Sequence, residues 1–348
     1  GSGSAALFGS FLRAALADHG VDIGGWWLAL GVGALGLATL FAWRDMSVAS
    51  RLMLILELSS ITVIVYLGIR ILVAVGGAEG LSAAPFRPDP SIGWWGIGYA
   101  VVFAVLSFAG FEAATTLAEE TRLPGRAIPL ALVGSVVLAG VFFVFASYIQ
   151  VIGFGLGNVK ALVASEAPLN TLALKFGTLR MATALDIATS VSALSCVIGT
   201  VSASARMLFV LGRAGLSARA ATVNPVHGTP SVAVGVVSVL MLAGLLGWAP
   251  LIGPTDYYDS VGTIGVLALI VAYMGVTAAA AFQAIRSGSR LWLALGVLGT
   301  RAMAWPLYNS VFPVPAFPGN LWPYLVLAWI GLGAALIVLR PAIGRSEP

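Results

Sequence analysis

The chain has 348 residues, of which 59% are hydrophobic and 9% charged, and its mean hydropathy is +0.99. A water-facing surface needs about 25% charged residues, so this composition excludes a soluble globular domain and predicts an all-α polytopic membrane protein. The 18 Lys and Arg exceed the 14 Asp and Glu, but no basic cluster with interleaved aromatics is present to bind nucleic acid, and the single Cys196 excludes an internal disulfide.

Residues 5–16 are apolar but too short to cross a bilayer, which takes about 20 residues, and are expected to be the tail of a helix whose beginning is absent. The opening Gly1-Ser2-Gly3-Ser4 fits a linker as well as native sequence. Nine full spans are then predicted, at 26–43, 52–75, 95–119, 127–152, 181–212, 231–249, 259–285, 291–309 and 322–340. Trp26, Trp27, Trp43, Trp94, Trp95 and Trp322 fall near their ends, as an interfacial belt requires. The mildly amphipathic stretch inside 154–179 predicts a short external helix packed over the bundle. Cys196 is expected to be a small core residue.

Arginine placement sets the expected orientation. Arg44, Arg51, Arg122, Arg126, Arg213, Arg219, Arg286, Arg290, Arg340 and Arg345 share one set of connections. Arg70, Arg87, Lys160, Lys175 and Arg180 fall in the other, mostly beside or within one longer loop, which counts for less. The first set and the C-terminus are therefore expected to be cytoplasmic.

Several polar residues stand inside apolar spans. Glu57 follows Arg51 by six residues, about 9 Å along a helix, and reads either as a titrating gate or as a structural partner of an arginine or hydroxyl on a neighbouring helix. Ser192, Ser195, Gly199 and Ser202 recur at helical spacing, which serves close helix packing or an ion position. Asp186 is expected to be solvated near the end of its span, and Arg301 to snorkel out of the span at 291–309.

The most informative stretch is Ser107 to Pro129. It places Glu112 within an apolar run, where a carboxylate costs about 2.5 to 3.5 kcal/mol unless it faces a cavity or a polar partner. Gly110 just before it permits non-helical backbone. Two readings stand on the residues alone: a helix broken at a substrate site, or a packing glycine beside a structurally paired glutamate.

Phe108-Ala109-Gly110-Phe111-Glu112, followed by Glu119-Glu120, Pro124, Arg126, Ile128 and Pro129, resembles the sixth-helix signature of the amino acid, polyamine and organocation (APC) permeases. Trp26 to Arg51 is similar to their fourth helix and its cytoplasmic turn. Ser202 to Leu216 resembles the end of their eighth helix, and Asn224-Pro225 to Thr229-Pro230 the connection to the ninth.

The resemblance implies a LeuT-type fold of inverted five-helix repeats in one transmembrane domain. Residues 5–75 would be the tail of the first repeat, 95–285 the complete second repeat and 291–340 two C-terminal helices, with the first two helices and most of the third absent. It also implies that Ser107, Phe108 and Ala109 offer carbonyls to a substrate ammonium group, Gly110 allows the break, Phe111 is a lid or wall, and Glu112 starts the inner half-helix. Sodium-driven relatives place hydroxyls on the eighth helix, which makes Ser192 and Ser195 coupling candidates. Some proton-coupled relatives carry a lysine near the position of Glu57, and this chain departs from them with an acid.

The implied activity is secondary active transport of an amino acid, or of a polyamine or other organocation, across the plasma membrane by alternating access, coupled to H+ or Na+. No cofactor, metal or catalytic residue is expected. An intramembrane protease is disfavoured because Gly-x-Gly-Asp and Gly-x-Ser-x-Gly are missing, and His19 and His227 fall in loops. A channel is disfavoured because no repeated filter or charged ring occurs.

Overall fold

The computed structural model describes residues 1–44, 46–78, 81–87, 93–112, 114–115, 121–165 and 167–339. Among them the chain is helical, with no strand. The helices are α1 (Ser2–Ala17), α2 (Trp27–Trp43), α3 (Met46–Ala78), α4 (Gly93–Phe108), α5 (Pro124–Phe154), α6 (Val159–Ala164) and α7 (Pro168–Phe176). There follow α8 (Leu179–Arg213), α9 (Ser231–Gly247), α10 (Ala249–Ile252), α11 (Pro254–Ser287), α12 (Arg290–Val311) and α13 (Trp322–Leu339). Glu119, Glu120, Arg340 and Arg345 lie outside the described residues, as do the side chains of Arg51, Trp94 and Trp95.

Hydrocarbon offers no partner to a bare amide or carbonyl, so long apolar runs must close their hydrogen bonds within a helix. Among the described residues, seven helical segments are long and apolar enough to cross a membrane, and they correspond to seven of the nine expected spans. The other two are also helices. α4 has only 16 residues, and α12 carries Arg301, exposed in mid-helix, together with Asn309. Most helices outlast their apolar cores, as in α3, α8 and α11, because polar end residues continue the backbone pattern. α4 does the opposite. It stops at Phe108, where a span to 119 was expected, because Gly110 has φ +113°, outside any helix.

The chain divides into two compact units. One holds α1–α3 and α5–α10; the other holds α4, most of α11, α12 and α13. Among the described residues the chain passes between them after Arg87, at Phe111/Glu112 and at Tyr258/Asp259.

In the first unit α8 is the central helix, packed by α1, α2, α3, α7 and α9. Small residues bring α1 and α2 together: a Cβ at Gly31 would lie 2.7 Å from the Ala5 carbonyl oxygen, and Gly9 abuts the Trp27 carbonyl. Trp27 is thereby buried, whereas Trp26 and Trp43 are exposed as belt residues should be. A second core joins Leu67 and Ile71 of α3, Ile149 and Ile152 of α5, Leu172 of α7 and Leu185 of α8. The amphipathic stretch thus forms two short helices, and α7 packs its apolar face onto the bundle. In the other unit Val102 of α4 meets Val266 and Ile270 of α11, with Met303 and Leu307 of α12 alongside. Gly98 lets α4 lie directly against the buried Asn309 side chain of α12.

Candidate functional site

The interruption after α4 is built from a helix end and one glycine. Ser107 is in the last turn, and its hydroxyl donates back to the Phe103 carbonyl at 3.0 Å. The Ala109 amide reaches the Leu106 carbonyl at 3.1 Å, which tightens the final turn. Gly110 then takes φ +113°, and no described atom lies within 4 Å of where a Cβ would sit. Space is therefore not what selects glycine here; the backbone angle is. Ser107, Ala109 and Gly110 are exposed, and Phe108, Phe111 and Glu112 half-buried.

Phe111 stacks obliquely on Tyr273 of α11, with ring centroids 5.9 Å apart and planes at 44°. This tethers the residue after the break to a packed helix. Glu112, Ala114 and Thr115 carry 3-10 backbone, and the Thr115 hydroxyl donates to the Glu112 carbonyl at 2.6 Å. The inner half-helix expected from Glu112 is thus 3-10 in its described part. Beyond it Leu123, in the left-handed region at φ 56°, turns the chain into α5, which begins with Pro124. Tyr273 was missed by sequence reasoning, because an aromatic 162 residues along in an apolar helix has no local signature.

Of the three coupling candidates, two meet. The Ser192 hydroxyl of α8 donates to Glu57 Oε1 of α3 at 3.0 Å, with both residues half-buried. Three residues on, the Ser60 hydroxyl donates to the Ala188 carbonyl at 3.2 Å, as an antiparallel pair of helices would align them. Ser192 follows the start of α8 by about 20 Å and precedes its end by about 31 Å, so the pair is set well inside the bundle. Ser195 is half-buried one turn along α8. A carboxylate that accepts a hydroxyl between two helices is a structural tie. Ser202 is buried and donates to the Ile198 carbonyl at 2.9 Å. A Cβ at Gly199 would meet no described atom, so the stripe is not a uniform packing seam.

Two other expectations are corrected. Asp186 is 2% exposed rather than solvated, and it accepts a 2.6 Å hydrogen bond from Asn170 Nδ2 of α7. Proximity to a helix end suggested water, but α7 folds over that end of α8 and excludes it. Cys196 is exposed rather than in the core, and its sulfur accepts a hydrogen bond from the Ser4 hydroxyl at 3.3 Å. Among the described residues no group of three or more His, Cys, Asp or Glu is placed to hold a metal ion.

Comparison with known sequences agrees with this architecture. The Amino acid permease family profile matches residues 23–296, which include both the α4 interruption and the Glu57–Ser192 contact. The chain is similar to the branched-chain amino acid permease BcaP of Bacillus subtilis (strain 168), at 24% identity over 187 residues. That match covers 53% of this chain and 38% of the relative, so the chain spans well under two thirds of the relative's length. With a family match over most of its residues, this multi-pass membrane chain belongs to the amino acid permease family.

Proposed function

We propose that protein carrying this chain performs secondary active transport of amino acids, or of related amines, across the plasma membrane by alternating access. Family membership supports the amino acid, and the observation that carries the site is the interruption at Gly110. A helix end inside an apolar segment leaves polar backbone that only protein, water or a ligand can satisfy. In this reading the carbonyls of Ser107, Phe108 and Ala109 take the substrate ammonium group, drawn by the negative end of the α4 dipole. Phe111, steadied by Tyr273, walls the substrate, and Glu112 lies where the chain leaves it. The polyamine alternative keeps the ammonium contact but has no carboxylate to place.

Residues 95–285 are read as one complete structural repeat, with 5–75 belonging to its counterpart and 291–340 adding two helices. The C-terminus and the Arg126 and Arg213 connections are assigned to the cytoplasm. Single cysteines there, in a Cys196→Ser background, should label only from the cytoplasmic side, and one at Lys160 only from outside. Labelling in the opposite pattern refutes the orientation.

Coupling, to H+ or Na+, is assigned to Glu57, with Ser192 as its partner and Ser195 alongside. Its structural role and its coupling role make different predictions. In proteoliposomes, Glu57→Gln preserves shape and the hydrogen bond from Ser192, so substrate exchange should stay within about threefold of the parent while proton-driven accumulation falls to equilibrium. Undiminished accumulation would leave Glu57 a structural tie.

At the interruption, Gly110→Leu forces an L-residue into φ +113°, a conformation costing on the order of 1–3 kcal/mol. Uptake should be lost while membrane insertion remains. Unchanged uptake would show that the interruption is not the substrate site.

A further inference from the structure

The corrected placement of Asp186 leads to a cluster that the transport reading does not use. Asn170 is in the first turn of α7 and is 8% exposed. Its Nδ2 donates to Asp186 Oδ2 of α8 at 2.6 Å and to Asp18 Oδ2 at 3.0 Å, where Asp18 caps the C-terminal end of α1. Asp18 Oδ2 also accepts from the Thr183 hydroxyl at 3.4 Å, and that hydroxyl lies 3.2 Å from His19 Nε2. One amide nitrogen with two hydrogens thus serves two carboxylates on two different helices, which uses its donor capacity completely. At the other end of α7, Lys175 Nζ donates to the Gly153 carbonyl at the end of α5, at 2.8 Å. Between these polar ties Leu172 and Ala173 are fully inserted in the core shared with α3, α5 and α8.

We propose that α7 is a strap with a single-atom pin: the Asn170 amide, shared between the end of α1 and the first turns of α8, holds α7 seated on the bundle. The physical basis is an asymmetry of donors and acceptors. Lifting α7 removes the shared donor from two carboxylates at once, one of them buried, and a buried acceptor stripped of its donor is costly. The apolar face of α7 holds the strap down, and the amide fixes where it seats, across the end of α1 and the start of α8. The proposal does not depend on transport or on any substrate.

The test reads strap seating directly. In a Cys196→Ser background, a cysteine replacing the fully buried Ala173 is exposed to a charged, membrane-impermeant maleimide in the purified full chain reconstituted in lipid nanodiscs. Asn170→Asp is nearly isosteric but puts three carboxylates together, and it should raise the labelling rate by at least about tenfold, the effect of losing two charge-assisted hydrogen bonds. The triple variant Asp18→Asn, Asn170→Asp, Asp186→Asn reverses every donor and acceptor and should return the rate to within about twofold of the parent. Unchanged labelling in Asn170→Asp, or a triple variant that labels as fast as the single one, overturns the pin. If Asn170→Asp cannot be recovered as monodisperse protein, recovery of the triple variant supports the proposal and its failure overturns it.

Discussion

Backbone hydrogen bonding inside hydrocarbon is the constraint on which this structure turns. With no water to satisfy an amide or carbonyl, the chain has to remain helical wherever it meets lipid, and the helices obey this so closely that several continue beyond their apolar cores. Against that background the end of α4 at Phe108 stands out. The departure occurs at a glycine whose φ of +113° no helix accommodates, and it is followed by 3-10 backbone rather than by a resumed α-helix in the described part. The stretch is anchored on both sides of the glycine, by α4 packed on α11 and α12 and by the Phe111–Tyr273 contact. An interruption held between packed elements is a built feature of the fold.

The second theme is how polar side chains are accommodated between helices. Thr39 donates to Ser238, Ser192 to Glu57, Tyr257 to Ser2 and Asn170 to both Asp18 and Asp186. Each such bond in a membrane bundle contributes only about 0.6 kcal/mol on average, so their weight is in fixing register and specificity more than in bulk stability. Close contact through small residues, such as Gly31 on Ala5, supplies the rest of the α1–α2 packing. α8 takes part in two of these ties, through Ser192 and Asp186.

Much of this was legible in the sequence because the bilayer enforces a simple code. Apolar runs of sufficient length became helices, and the family resemblance around Gly110 implied a break there, where the backbone takes φ +113°. What was not legible depended on residues far apart in the chain. Asp186 looked solvated because its position near a helix end carries no sign that α7, a separate short helix, folds back over it. Cys196 looked like core because an apolar neighbourhood does not reveal which helix face turns outward. Glu57 could be recognised as needing a partner, and a hydroxyl was among the partners considered, but the choice of Ser192 required the antiparallel register of α3 and α8. The extent of α4 was overestimated because the residues around Gly110 are mostly apolar, while the backbone leaves the helix at Gly110 itself.

The central claim is that the interruption binds the transported amino acid, and substrate protection tests it most directly. A cysteine placed at Ala109, which is exposed beside Gly110, is labelled with a small maleimide in reconstituted protein carrying this chain and Ser in place of Cys196, with and without candidate substrates. The account predicts that an amino acid slows labelling at 109 several-fold, that the matching decarboxylated amine protects less, and that a control cysteine at exposed Val163 on α6 is unaffected. Labelling at 109 that is indifferent to every amino acid and amine, in protein that still accumulates substrate, would contradict it.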